Sequence, residues 1–344
     1  LEEYGKALRD TILAGDSEPP PYFDRIVTRD SRMLAIFRYS QAIGKSDKAI
    51  LITGESGTGK ELVAAAIHAS SGRTGKLVCV NVAGLDDTMF SDTLFGHKKG
   101  AFTGADMDRP GLIEQAAGGT LFLDEIGDLS HQSQVKLLRL IEQRLYYPLG
   151  ADLTRSSDAL IVAATNKDLE KTAAGGAFRQ DLYYRLSTHR IGIPPLRKRL
   201  DDLPLLVERF VDIAAEKFGK KAPVVPPELY DLLRTHDFPG NVRELESMVF
   251  DAVGQCDARV LSLASFKDKI FPDAAPSHEH ARKSFSLFGQ LHVLPTLAEA
   301  SEELIKEALK RAGGNQGIAA GLLGISRTAL NRRIKNAFAD EEQA

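Results

Sequence analysis

The chain has 344 residues, of which 43% are hydrophobic and 26% charged, with a formal net charge of −3. At roughly 100 to 200 residues per domain this length predicts two or three domains, and the composition excludes a largely disordered chain. A slightly acidic total also excludes a protein that coats nucleic acid with its whole surface, so any DNA contact must be local.

The opening stretch places Leu1, Tyr4, Leu8 and Ile12 at helical spacing ahead of the turn-rich GDSEPPP, so residues 1–23 read as a helix and linker without the apolar core of a secretory signal. From residue 24 to about residue 200, short apolar runs alternate with helical stretches: AILITG (49–54), KLVCVNV (76–82), GTLFLDE (119–125) and ALIVAAT (159–165). Continuous apolar strands of this kind predict an α/β fold, a parallel sheet covered by helices on both faces. Residues 201–270 show helical patterns alone, residues 271–295 shift to a Pro, Ser and His composition that reads as a linker, and residues 296–344 are helical again. The longest uninterrupted apolar runs, Leu62–Ile67 and Ala159–Ala164, fall far short of the roughly 20 residues a bilayer span requires. Cys79 and Cys256 stand in unrelated surroundings, which gives no disulfide framework or metal spacing and predicts a reducing cytoplasm.

Between the first strand and the helical run LVAAAIH lies GESGTGKE (54–61). Gly54, Gly57 and Gly59 let backbone amides turn toward a triphosphate at a helix N-terminus, and Lys60 adds a positive charge for the outer phosphates. Glu61 stands where a Ser or Thr hydroxyl usually holds Mg²⁺, so the metal must lean on Asp124 and Glu125 at the end of LFLDE. Asp124 can hold Mg²⁺ directly or through water, and Glu125 can polarise the attacking water. Asn166, after ALIVAAT, offers a polar amide to the γ-phosphate. Arg179 and Arg185 in FRQDLYYRL fit an arginine supplied to a neighbouring subunit's phosphates and fit a surface helix with ordinary ion pairs equally well. Arg243 in FPGNVREL, at the start of a helix, is a candidate to reach the nucleotide from the lid side, and spacing alone does not settle it.

Near the chain end, Arg327, Arg332, Arg333 and Lys335 lie in a stretch from Gly313 to Ala337 that has no Asp or Glu. NQGIAAGLLGISRTALNRRIKN (315–336) reads as two helices joined at Gly324, with Ile318, Ala319, Leu322, Leu323, Ile325, Leu330 and Ile334 facing a common core. Ser326 would cap the second helix, leaving Arg327, Thr328, Asn331, Arg332, Arg333 and Lys335 for a major groove and its phosphates, or for solvent if the pair is a plain hairpin.

Together, GESGTGKE, LFGHKKGAFTGA (94–105), GGTLFLDE (118–125), AATN (163–166), FRQDLYYRL (178–186), PPLRKR (194–199) and FPGNVREL (238–245) resemble, in order, the AAA+ activators of sigma-54 RNA polymerase, the bacterial enhancer-binding proteins. The resemblance covers about residues 24–270, and the C-terminal segment is similar to the Fis-type helix-turn-helix domain that ends this family. It implies an AAA+ P-loop sheet, a helical lid and an all-α DNA-binding domain. It assigns ATP contact to Gly54, Glu55, Ser56, Gly57, Thr58, Gly59, Lys60, Glu61, Gly118, Gly119 and Arg243. Asp124 serves Mg²⁺ and Glu125 activates water, with Asn81 restraining that glutamate and Asn166 as first sensor. Arg179 and Arg185 act on ATP in the next subunit, and Arg243 is the second sensor.

The resemblance further implies that Gly100, Ala101, Phe102, Thr103, Gly104 and Ala105, the intact GAFTGA, form a mobile loop that touches sigma-54. The partners implied are sigma-54 polymerase, palindromic enhancer DNA, copies of the chain as a dimer and as a hexameric or heptameric ring, and an N-terminal regulatory domain, in some members paired with a sensor kinase. Four positions depart from the family pattern: Thr93 and Lys98 replace glutamates, Leu160 an arginine and Phe238 a tryptophan. Lys98 puts in question how the loop is held down. A DNA-binding regulator that keeps the ATPase fold without remodelling polymerase is the alternative, and an intact GAFTGA argues against it.

Overall fold

In the computed structural model, which describes residues 20–256, 258–271 and 296–339, the four apolar runs form strands of one sheet. These are β1 (Ile50–Thr53), β2 (Leu77–Asn81), β3 (Thr120–Asp124) and β4 (Leu160–Thr165), joined by β5 (His189–Gly192). The order is β2-β3-β4-β1-β5 and every pairing is parallel. The fifth strand escapes the sequence pattern because three of its four residues stay partly or fully exposed at a sheet edge, and only Ile191 is buried.

Two apolar layers explain the continuous runs. Leu51, Leu121, Leu123, Ile161 and Ala163 face one layer, and Ile50, Ile52, Phe122, Leu160 and Val162 face the other, so neighbouring residues on a strand are both buried. Helices α1 (Ser31–Ile43) and α2 (Lys60–Ser70) cover the second layer with Met33, Phe37, Val63 and Ile67. Helices α3 (Asp87–Phe95), α4 (His131–Gln143) and α5 (Gln180–Leu186) cover the first with Phe90, Leu94, Leu137, Leu140 and Leu182. Each such side chain, fully buried, stabilises by about 1.5 to 3 kcal/mol. Leu160 belongs to this apolar interior, where a charged side chain would lose its hydration.

The parallel register brings the strand ends together. Thr53 lies opposite Thr165, and Asn81 opposite Asp124, so the loops after β1, β3 and β4 open on the same edge of the sheet.

By its contacts the chain divides into two units, residues 1–209 with 238–247, and residues 210–237 with 248–344. The second is helical, as read from sequence: α6 (Leu203–Lys217) and α8 (Asn241–Gln255) run into it, α7 (Pro227–Leu233) and α9 (Ala264–Ile270) lie within it, and among the described residues its one β contact is a single bridge between Val224 and Val260. It also holds α10 (Leu297–Arg311), α11 (Gln316–Leu322) and α12 (Arg327–Ala339). Thr296 and Glu299 cap α10 reciprocally, Gly324 turns the chain between α11 and α12 at φ +67°, and Ser326 Oγ accepts Ala329 N at 3.2 Å. The core of this trio is Ile305, Ala308, Ala319, Ala320 and Leu330, with Leu323, Ile325 and Ile334 against it. Ile318, half-buried, and Leu322 do not join it; α11 ends at Leu322 and Leu323 takes the inward place, leaving Leu322 43% exposed. The leading helix expected at residues 1–13, and all of the linker expected at 271–295 except Phe271, the C-cap of α9, lie outside the described residues.

Candidate functional site

The loop after β1 begins where Gly54 N donates to Thr165 O (3.3 Å) and passes Gly57 (φ +75°) and Gly59 (φ +99°) into α2. Position 57 demands glycine, since a Cβ there would stand 2.2 Å from Gly240 O. Among the described residues the Gly57, Gly59 and Lys60 amides have no acceptor in the protein, and with the start of α2 they suit an anion. Lys60 is 7% exposed, and its Nζ donates to Gly54 O at 3.1 Å and stands 3.8 Å from Glu125 Oε1. A buried ammonium held this way is positioned to receive phosphate oxygens.

Glu125 follows β3 in the left-handed region (φ +57°, ψ 44°), a conformation costly for any residue but glycine. Its second carboxylate oxygen accepts Asn166 N at 3.2 Å. Asp124 ends the strand half-buried, accepts Glu125 N at 3.0 Å and has no basic partner among the described residues. Its charge is therefore available to a cation. No three His, Cys, Asp or Glu side chains converge among the described residues, so a Mg²⁺ held by Asp124 would complete its shell with phosphate and water oxygens.

Residues 238–247 close over the loop. Asn241, fully buried at φ +54°, donates through Nδ2 to Glu55 Oε2 (3.1 Å) and Ser56 O (3.0 Å), while its Oδ1 accepts Leu196 N (2.8 Å). Val242 N donates to Gly57 O at 3.0 Å, and Arg243 Nη1 to Ser56 Oγ at 3.1 Å. Arg197 grips the Glu55 carboxylate with both terminal nitrogens. The Arg197 guanidinium first, and the Asn241 amide second, lower the Glu55 pKa to about 2. Outside the loop itself, Arg243 alone among these partners is a candidate from sequence. Asn241 and Arg197 lie in FPGNVREL and PPLRKR, but neither residue type announces a role by itself.

Other expected residues stand elsewhere. Gly118 and Gly119 lead into β3 at the end opposite Asp124, about 16 Å away at the rise of a strand. There Gly118 N donates to Asp158 Oδ1 (2.8 Å) and a Cβ on Gly119 would meet Lys76 O at 2.2 Å, so both serve strand packing and neither reaches the phosphate loop. Asn81 Oδ1 accepts Ala83 N (2.8 Å), and the Glu125 carboxylate rests on Lys60 and Asn166 instead. Arg179 pairs with Asp181 (2.6 Å) and Arg185 with Glu142 (2.6 Å), both on the surface.

Residues Gly100 to Ala105 form a tight turn in which Gly100 N donates to Ala105 O (2.8 Å) and Ala105 N to Phe102 O (3.1 Å), with Gly100 and Gly104 at positive φ. Phe102 is 38% exposed and lies edge-on to His97, ring centroids 4.9 Å apart. Lys98, the reversed charge, pairs with Asp108 on the opposite arm of the loop. In the C-terminal trio Arg327, Thr328, Arg332 and Arg333 are exposed on α12 and Asn331 is half-buried; Lys335 is on the same helix, its side chain outside the described residues.

Residues 26–192 match the Sigma-54 interaction domain, residues 197–283 the AAA+ ATPase lid domain, and residues 296–336 the bacterial regulatory protein, Fis family. The transcriptional regulatory protein ZraR of Klebsiella oxytoca is 43% identical over 332 residues, which cover 96% of this chain and 73% of that protein. The chain belongs to the sigma-54-dependent activator family. The DNA-binding transcriptional regulator NtrC of Rhizobium meliloti is 41% identical, over 90% of this chain and 69% of its own length. ZraR of Escherichia coli K12 is 44% identical, and the chain spans 64% of it. The chain is thus an AAA+ ATPase of the sigma-54 activator family with a Fis-type helix-turn-helix domain. Solved NtrX structures from Brucella abortus share its fold: the complex with ADP has a TM-score of 0.67 at 32% identity over 92% of this chain and 70% of that one. The complex with ATP has a TM-score of 0.65 at 29% identity over 97% and 72%. No described helix is long and apolar enough to cross a membrane.

Proposed function

We propose that this sigma-54 activator binds upstream palindromic DNA and uses ATP hydrolysis in a ring of subunits to remodel the closed sigma-54 polymerase complex. The meeting of Lys60, Glu125 and Asn166 at one phosphate loop, in the unit that also carries Gly100 to Ala105, supports it best. The amides of residues 54–61 and Lys60 bind the phosphates of ATP, and Arg243, already on Ser56, senses them. Asp124 holds Mg²⁺, directly or through water, and the metal when bound neutralises charge on the phosphate oxygens. As Lys60 turns to phosphate, Glu125 is released to orient water and take its proton, while Asn166 and Asn81 register the change.

Arg179 and Arg185 leave Asp181 and Glu142 to contact ATP in the adjacent subunit, which makes the active form a hexamer or heptamer assembled from dimers. Phe102 then leaves His97 to meet sigma-54. Residues 24–200 and 201–270 act as ATPase core and lid, and residues 296–344 carry Arg327, Thr328, Asn331, Arg332, Arg333 and Lys335 to DNA. A regulatory domain ahead of residues 1–23, in some members answering to a sensor kinase, sets activity in the cytoplasm.

The test is ATP-dependent open-complex formation on a supercoiled sigma-54 promoter. The parent opens the promoter, Phe102→Ala keeps ATPase activity and loses opening, and Glu125→Gln binds ATP without turning it over. A parent that hydrolyses ATP and never opens the promoter, with its regulatory domain present, makes the chain a non-remodelling regulator.

A further inference from the structure

The segment from Leu196 to Asp202 touches several parts of the ATPase unit. Leu196 N reaches Asn241, Arg197 holds Glu55, and the Lys198 carbonyl accepts from Arg32 at the start of α1. Its most buried members are Arg199 and Asp202, whose side chains are 2% and 0% exposed and stand 3.6 Å apart. Arg199 Nη2 donates to Thr58 O in the phosphate loop at 3.3 Å, and its Nε has no partner. On the other side, Asp202 Oδ2 accepts Thr28 Oγ1 at 2.7 Å and Oδ1 accepts Arg29 N at 2.6 Å. Thr28 Oγ1 in turn accepts Asp30 N, the N-cap of α1, at 3.1 Å.

Burying both charges of an ion pair is costly unless the remaining lone pairs and protons are satisfied, and removing one partner strands the other. Here the carboxylate is satisfied from residues 28–29, while the guanidinium spends a hydrogen bond on a loop carbonyl. The two ends of the pair are therefore mechanically linked. If Thr28 and Arg29 move, Asp202 loses its donors, Arg199 is left less well compensated, and the Thr58 carbonyl loses a fixed donor.

We propose that Asp202 is a positioning residue that ties the phosphate loop to the segment leading into α1, so that ATP affinity follows the position of Thr28 and Arg29. The proposal rests on the reading that residues 54–61 hold ATP. It gives any domain joined ahead of α1 a route to the nucleotide that does not pass through subunit assembly.

Thr28→Val tests it, because the side chain keeps its shape and loses the hydroxyl that donates to Asp202 and accepts Asp30 N, whereas Asp202→Asn would strand a buried guanidinium and endanger the fold. ATP binding is titrated calorimetrically with Mg²⁺ on the full chain, and thermal unfolding is recorded for each variant. Thr28→Val is expected to raise Kd about tenfold, and Thr28→Ser to restore it to within about twofold of the parent. Leu137→Ala, in the layer on the opposite face of the sheet, serves as the control that lowers Tm while leaving Kd in place. If Thr28→Val lowers Tm and leaves Kd at the parent value, Asp202 is merely structural and the proposal is overturned. A parent that binds no ATP overturns the nucleotide reading itself, and this proposal with it.

Discussion

Replacing Glu55 by Gln removes a charge from the junction of three motifs while preserving shape. Glu55 is the second residue of the phosphate loop, gripped by Arg197 from PPLRKR and by Asn241 from FPGNVREL. Its pKa is lowered from 4.5 to about 2, first by Arg197 and then by Asn241. A carboxyl whose folded pKa lies below its unfolded value contributes stability that is complete above the unfolded pKa and is lost as pH falls toward the folded one. The full shift would correspond to about 3 kcal/mol. The side chain is 41% exposed, so solvent screening reduces the effect to about 1 kcal/mol.

Urea unfolding at 25 °C should show Glu55→Gln less stable than the parent by about 1 kcal/mol, a difference constant from about pH 7 to pH 5 and shrinking below about pH 4.5. A difference that already shrinks between neutral pH and pH 5, or that persists unchanged to pH 3.5, would refute the claim that the Glu55 charge is what Arg197 and Asn241 hold.

Two further perturbations test the loop stem and the DNA-binding trio. Lys98→Asp sets two acids against each other across the stem and should speed protease cleavage between residues 98 and 109; combining it with Asp108→Lys should recover part of the protection, since Asp108 also accepts Lys99 N (2.9 Å). Equal cleavage of the single and double variants would show that the pair does not hold the stem. In the C-terminal trio, Leu330→Ala empties a fully buried position at a cost of about 2 to 5 kcal/mol, and Leu322→Ala, at 43% exposure, should change stability by about 0.5 kcal/mol or less. Hydrogen exchange across residues 297–339 separates them, and equal exchange in the two variants would contradict the core assigned here.

The sheet was legible because its strands are buried on both faces, which writes each as an unbroken apolar run; β5, with one buried residue in four, carries too little of that signal. The phosphate loop was legible because glycine, lysine and the flanking strand and helix constrain one another over eight residues. What surrounds the loop was not. Asn241 reaches Glu55 across 186 positions and Arg199 reaches Thr58 across 141, and no local pattern encodes a contact at such separations. The same limit applies to Gly118 and Gly119: the resemblance implies nucleotide contact for them, but an extended strand carries them to the far edge of the sheet. Leu322 failed for a smaller reason, one residue of uncertainty in where α11 stops.

Lys98 shows how a departure that looks disruptive in one dimension can be harmless in three. Read alone, a lysine where relatives of this family carry glutamate threatens repulsion with any base nearby. The loop, however, begins and ends in a two-residue antiparallel ribbon in which His97 lies opposite Arg109. In an antiparallel pair, one step forward on one arm is one step back on the other, so this register sets Lys98 across from Asp108. The sign of the charge at position 98 therefore has meaning only together with the sign at position 108, and here both are complementary. Arg109, the next residue, pairs with Asp92, whose other oxygen holds the His97 ring on which Phe102 rests. The stem is thus fixed by ion pairs and by backbone hydrogen bonds to Leu149, whereas the Phe102 ring at the tip rests on His97.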